Sequence, residues 1–113
     1  MKNDMTKIKG NVQYDSSFDY SEVEEITGSI NAKNGPEGAF PKLTAVGGYL
    51  YAKNSPEGTF PKLTYVGGSL DAENCTVGTF PALITVVGSL YAKNCLEGTF
   101  PKLTYVGGER ENI

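Results

Sequence analysis

Cys75 and Cys95 stand twenty residues apart in a chain of 113 residues that contains no histidine. Without histidine the commonest general base and metal ligand is missing, and two thiols alone cannot complete a tetrahedral zinc site. Stacked at strand spacing, the two cysteines would fall within the Cα range of a disulfide. Met1-Lys2-Asn3-Asp4-Met5 does not read as a secretion signal, so both thiols are expected to be reduced. Asn74-Cys75-Thr76 has the form of a glycosylation acceptor, but Asn74 is one of four asparagines at equal spacing, expected to tie turns together by side-chain hydrogen bonds. Thirteen acidic residues could move protons, yet none is paired with another in an apolar setting. The Gly-Gly pairs lack the lysine and the helix start of a phosphate-binding loop. The sequence therefore predicts no enzyme, no catalytic residue, no cofactor and no metal.

The interval between the cysteines is the interval of the whole chain. Phe-Pro-Lys-Leu-Thr begins at Phe40, Phe60 and Phe100, with Phe-Pro-Ala-Leu-Ile at Phe80. Strict self-similarity at this period marks a solenoid, each repeat one turn of chain on the last. Units start at Ile26, Val46, Val66, Val86 and, truncated, Val106. A shorter degraded unit starts at Ile8, with Tyr20 and Val23 in the Phe and Leu columns.

Inside a unit, Leu50 and Ala52 alternate with Tyr49, Tyr51 and Lys53, the period of a strand with one buried face. The glycines before each strand (Gly28, Gly48, Gly68, Gly88 and Gly108) are expected to make a corner at positive φ. Asn-x-Pro-Glu-Gly reads as a turn. Phe60, Leu63 and Val66 then recur every third residue, which predicts a 3₁₀-like or irregular extended return path. One coil cannot fold alone. Its four large apolar residues gain about 1.5–3 kcal/mol each on burial, against about 1–2 kcal/mol of backbone entropy for each ordered residue. Stacking buries both sides of every coil. The expected fold is mainly β: a short right-handed solenoid of about five coils with parallel strands, one domain over 1–113. Residues 1–25 form a degraded N-terminal cap, 26–105 four repeats, and 106–113 a C-terminal cap.

Leu70-x-Ala72-x-Asn74 followed by Phe80-Pro81-x-Leu83-x-x-Val86-x-Gly88, repeated over residues 26–108, resembles leucine-rich repeats and, more closely, the coil of receptor L-domains. The asparagine spacing departs from the usual leucine-rich repeat. The resemblance implies a right-handed, strand-lined solenoid used for protein binding, without the helical convex side for which twenty residues leave little room.

A net charge of −3 gives no basic stripe for nucleic acid, and no apolar run reaches membrane-spanning length. The expected setting is the cytoplasm of a bacterial or phage-infected cell. Outward positions then form ladders. Ser29, Tyr49, Ser69 and Ser89 make one; Asn31, Tyr51, Asp71 and Tyr91 the next; Lys33, Lys53, Glu73 and Lys93 the third. The repeat starting at Val66 breaks the pattern twice, with Asp71 and Glu73. A carboxylate between stacked lysines relieves repulsion. Rigid aromatics around charge also match the composition of protein interfaces. Tyr49, Tyr51, Lys53, Asp71, Glu73, Tyr91 and Lys93 are accordingly expected to contact a protein partner.

Tyr65 and Tyr105 on the return path, with Ala82 and Ile84 beside Val77, form a candidate second face and a candidate self-association patch. Asp15, Asp19, Glu22, Glu24 and Glu25 form an acidic run with no base, either a soluble cap or a contact for a basic partner. Glu109-Arg110-Glu111 falls where a strand would continue, either blocking edge pairing or awaiting a second chain. The leading expectation is a non-catalytic protein-interaction module. Its alternatives are a phage- or mobile-element-encoded inhibitor of a host defence system (anti-CRISPR-like), a self-assembling structural protein joined through its ends, and, remotely, an ice-binding surface built on the threonine files Thr59/Thr79/Thr99 and Thr44/Thr64/Thr104.

Overall fold

The computed structural model describes residues 6–111. The expectations for Met1–Met5 and for the last two residues of the C-terminal cap lie outside the described residues. Each level of the stack contributes two strands of two residues. The first sheet holds β1 (Lys7–Ile8), β3 (Glu25–Ile26), β5 (Ala45–Val46), β7 (Tyr65–Val66), β9 (Thr85–Val86) and β11 (Tyr105–Val106). The second holds β2 (Val12–Gln13), β4 (Ile30–Asn31), β6 (Leu50–Tyr51), β8 (Leu70–Asp71), β10 (Leu90–Tyr91) and β12 (Arg110–Glu111). All pairings are parallel and in register, Val46 with Val66 and Leu50 with Leu70 among them. The result is a right-handed, mainly-β solenoid of about five coils, with no helix among the described residues.

The second sheet lies where alternation placed a strand. Its formal strands are short, but the inter-coil ladder runs further. Leu50, Ala52 and Asn54 donate their N–H groups to the carbonyls of Ser69, Asp71 and Glu73 at 3.0, 2.8 and 2.9 Å. Leu50 and Ala52 are wholly buried, while Tyr49 and Tyr51 are exposed. The first sheet is a feature the return path was not expected to contain. After a turn at Phe60–Lys62 the chain extends for Tyr65 and Val66, one outward and one inward, too few residues for a period of two to show.

The corner glycines work differently from expectation. Positive φ falls on Asn34, Asn54, Asn74 and Asn94 (61 to 65°) and on Gly38, Gly58, Gly78 and Gly98 (77 to 94°) in the turn, and at a corner only in the degraded first unit, at Gly10 (94°). Gly28, Gly48, Gly68, Gly88 and Gly108 are not among the positive-φ residues. They lack a Cβ because the coil below is too close. A Cβ on Gly68 would stand 2.8 Å from the carbonyl carbon of Gly48 and 3.0 Å from its oxygen. Backbone cannot yield as a flexible side chain would, so Gly68→Ala is expected to cost about 1–3 kcal/mol, read by urea denaturation.

The core is a set of vertical files. Phe40, Phe60 and Phe80 are wholly buried and stack with Phe100 at centroid separations of 5.4, 5.3 and 5.5 Å. Tyr20 prolongs this file at 4.9 Å from Phe40, and Val23 is buried in the leucine file. Thr59, Thr79 and Thr99 are also buried and donate to the carbonyls of Pro56, Ser55 and Leu96. Thr44, Thr64 and Thr104 donate to carbonyls of the preceding coil. Both threonine files thus spend their hydroxyls on the fold.

The four asparagines form a ladder of their own. Asn54 donates its amide to Asn34 Oδ1 at 2.9 Å, Asn74 to Asn54 at 2.9 Å and Asn94 to Asn74 at 3.0 Å. Beside them, both cysteines are free thiols. Cys75 Sγ donates to the Ala52 carbonyl at 3.0 Å and Cys95 Sγ to that of Ala72 at 2.8 Å. Ser55, one coil earlier in the same file, is buried with its hydroxyl unpartnered.

Burial pushes the Cys75 thiol up to about 12 from an ordinary value of 9.0. At pH 8 its thiolate fraction is then about a thousandfold below that of a free cysteine. Burial pushes the Cys95 thiol up as well, but Cys95 is the less buried of the two, so alkylation should reach it before Cys75. The sign of the linkage follows. The folded state holds this proton more tightly than the unfolded chain, so its contribution is complete below about pH 9. It is lost as pH rises from about 9 to about 12, which thermal unfolding across that window measures.

Candidate functional site

The flat second sheet carries its outward side chains in three adjacent files, and the repeat starting at Val66 changes all three relative to the repeat before it. Tyr49 becomes Ser69, Tyr51 becomes Asp71 and Lys53 becomes Glu73. Register places Asp71 between Tyr51 and Tyr91. The two smaller residues leave a groove of about 370 Å³ lined by Tyr49, Tyr51, Ser69, Asp71 and Tyr91. Tyr49 packs against Tyr51 with ring centroids 6.0 Å apart, which braces one wall. These tyrosines are 51, 44 and 38% exposed for Tyr49, Tyr51 and Tyr91, large aromatic surfaces held on a rigid ladder.

The charges divide into those the fold uses and those it does not. Lys53 Nζ lies 3.5 Å from Glu73 Oε1, so Glu73 relieves the lysine file as like-charge stacking demands. Among the described residues, no carboxylate lies within ion-pairing distance of Lys93. Asp71 Oδ1 accepts the N–H of Glu73 at 3.2 Å. Asn31 makes the same bond to the N–H of Lys33 at 3.2 Å. The turn accepts a neutral amide oxygen there as readily as a carboxylate, and the coils of Tyr51 and Tyr91 form without either, so nothing in the backbone calls for a negative charge. Asp71 brings a charge the local backbone does not require, and no lysine or arginine among the described residues forms an ion pair with it.

Ser69 joins the site through its backbone. Along the outer file, Ser29 Oγ accepts the N–H of Tyr49 at 2.9 Å, Ser69 Oγ that of Ser89 at 3.0 Å, and Ser89 Oγ that of Glu109 at 3.0 Å. Tyr49 has no oxygen at that position, so the Ser69 N–H finds no acceptor among the described residues. The signal lay in the sequence, where a tyrosine interrupts a serine file. It could not be read without knowing that serine oxygens there hold the next coil.

The other expected surfaces fall elsewhere. Tyr65 and Tyr105 stand on the first sheet, 41 and 54% exposed, with Thr85 between them in register. Ile84 is exposed and Ala82 half-buried beside them. The acidic run is occupied locally. Asp15 accepts the N–H and hydroxyl of Ser17 at 2.9 and 2.8 Å, and Asp19 the N–H of Ser21 at 2.9 Å. Those bonds hold both carboxyls below the usual aspartate range. Glu22 pairs with Lys42 at 2.9 Å and Glu25 with Lys7 at 3.9 Å, leaving Glu24 as an exposed acid. Arg110 is exposed in β12, in the file of Leu90. Among the described residues no group of three or more potential metal ligands comes together, and no helix is long and apolar enough to cross a membrane.

No protein-family model matches this chain, and no curated protein or solved structure is similar enough to it to match.

Proposed function

We propose that this chain is a non-catalytic protein-binding module that meets its partner through the second sheet. The observation that carries it is the groove between Tyr51 and Tyr91. Exposed tyrosines on a rigid strand ladder lose little entropy on binding and have the composition of interface anchors. The contact set is Tyr49, Tyr51 and Tyr91 with Lys53, Asp71, Glu73 and Lys93 around them. The likeness of the unit to leucine-rich and receptor L-domain coils supports the same use. A narrower form is a phage- or mobile-element-encoded inhibitor that occludes a host defence protein in the bacterial cytoplasm, which co-expression with candidate defence systems tests.

A partner recovered from the host lysate should bind the double variant Tyr51→Ala/Tyr91→Ala at least about thirtyfold more weakly, since interface anchors are worth about 2 kcal/mol or more. Tyr65→Ala/Tyr105→Ala on the opposite sheet should bind as the unmodified chain does. Equal affinity for all three would reject the second sheet as the contact face.

One observation favours a second reading, self-association through the last coil. Phe100, Leu103 and Val106 are only partly buried, whereas their counterparts Phe80, Leu83 and Val86 are wholly buried. Light scattering at rising concentration tests this, and a constant monomer mass would remove it.

A further inference from the structure

The groove has a chemistry more specific than general stickiness, and this inference rests on the second sheet being the contact face. Tyr51 and Tyr91 are two rungs apart, about 9.6 Å along the stack at about 4.8 Å per rung. A planar group resting against two ring faces needs about 3.5–4 Å on each side, or about 7–8 Å between the rings. Tilting of the two tyrosines toward each other by about 1 Å apiece would close the difference. Neighbouring rings one rung apart leave no such room, as the phenylalanine file shows at 5.3 to 5.5 Å.

The base of the groove is charged. Asp71 contributes a carboxylate with one oxygen committed to the Glu73 N–H and no cation paired with it among the described residues. Ser69 contributes an N–H without an acceptor. Tyrosine faces attract cations, guanidinium above all, through the ring quadrupole. A carboxylate accepts two parallel N–H bonds from the same planar group. Lysine's compact ammonium would leave the space between the walls unfilled.

We propose that the groove between Tyr51 and Tyr91 is a subsite for an arginine side chain of the protein partner, its guanidinium sandwiched by the two rings and bonded to Asp71. The Ser69 N–H then takes a main-chain carbonyl of the same partner segment. Lys93, with no carboxylate of its own, receives an acidic residue beside that arginine. The chain also carries its own control. Tyr65, Thr85 and Tyr105 repeat the two-rung tyrosine spacing on the first sheet with a neutral residue between.

Solution NMR of the full chain tests the assignment, with ring-proton shifts followed during titration by N-acetyl-arginine amide and, separately, by its neutral isostere N-acetyl-citrulline amide at constant ionic strength. Arginine amide should shift Tyr51 and Tyr91 and saturate at roughly tens of millimolar, in keeping with a single side chain's contacts. Citrulline amide should not saturate. Asp71→Asn keeps the oxygen that the turn uses and should weaken the arginine response about tenfold. Thr85→Asp should confer a response on Tyr65 and Tyr105. An arginine response that is absent, that survives Asp71→Asn unchanged, or that is matched at Tyr65 and Tyr105 of the unmodified chain overturns the subsite. The titration uses no partner, so its failure removes the arginine subsite alone, while the contact face stands or falls on the double-variant affinities.

Discussion

Phe80→Ala is expected to lower the unfolding free energy by about 3–5 kcal/mol, a large part of the roughly 5–15 kcal/mol that holds a domain folded. The ring is wholly buried and stacked on both sides, by Phe60 at 5.3 Å and Phe100 at 5.5 Å. Removing it leaves a cavity that neighbouring coils cannot close without breaking their hydrogen-bond ladders. Phe100→Ala should cost clearly less, because Phe100 is only partly buried and is stacked on Phe80 alone. Urea denaturation of both variants measures the difference. A loss below about 1 kcal/mol for Phe80→Ala would mean that the phenylalanine file is not the spine of the core.

Asn74→Ala should cost about 2–5 kcal/mol, although Asn74 is exposed. Two contributions add. Alanine at a φ of 61° is penalised by about 1–2 kcal/mol. The two ladder bonds, to Asn54 and from Asn94, are each worth about 0.5–1.5 kcal/mol. Asn74→Gly separates them, since glycine accepts that φ without strain and loses only the ladder. Stability should therefore rank the unmodified chain first, Asn74→Gly second and Asn74→Ala last. If the glycine variant were no better than alanine, the left-handed turn would not be what selects asparagine there.

Residues whose role repeats every twenty positions were open to sequence reading, because stacking turns a repeat into a file. Inside and outside at Leu50, Tyr51 and Ala52, and the stacked aromatic file from Tyr20 to Phe100, follow from that alignment. Two features stayed hidden for physical reasons. The first sheet takes two residues from each coil, as at Tyr65–Val66, and alternation cannot declare itself over two positions. The role of the corner glycines was misjudged because glycine answers two different needs, positive φ and close approach, and only the coil below Gly68 decides between them. At the candidate site, the tyrosines and Asp71 stand out by type and by the break in pattern. That Asp71's charge is surplus to its turn emerges only from comparison with the bond made by Asn31. The unpaired Ser69 N–H needs the serine-to-amide chain to be seen first.

The seven tyrosines provide the measurement that bears most directly on the contact face, because exposed ones stand on both sheets. Oxidative tyrosine footprinting of the chain, free and bound to its protein partner, compares them within one sample. The account requires strong protection of Tyr49, Tyr51 and Tyr91 on binding, with Tyr65 and Tyr105 reacting at their free rates. Protection of Tyr65 and Tyr105 with Tyr51 and Tyr91 still reactive would contradict it.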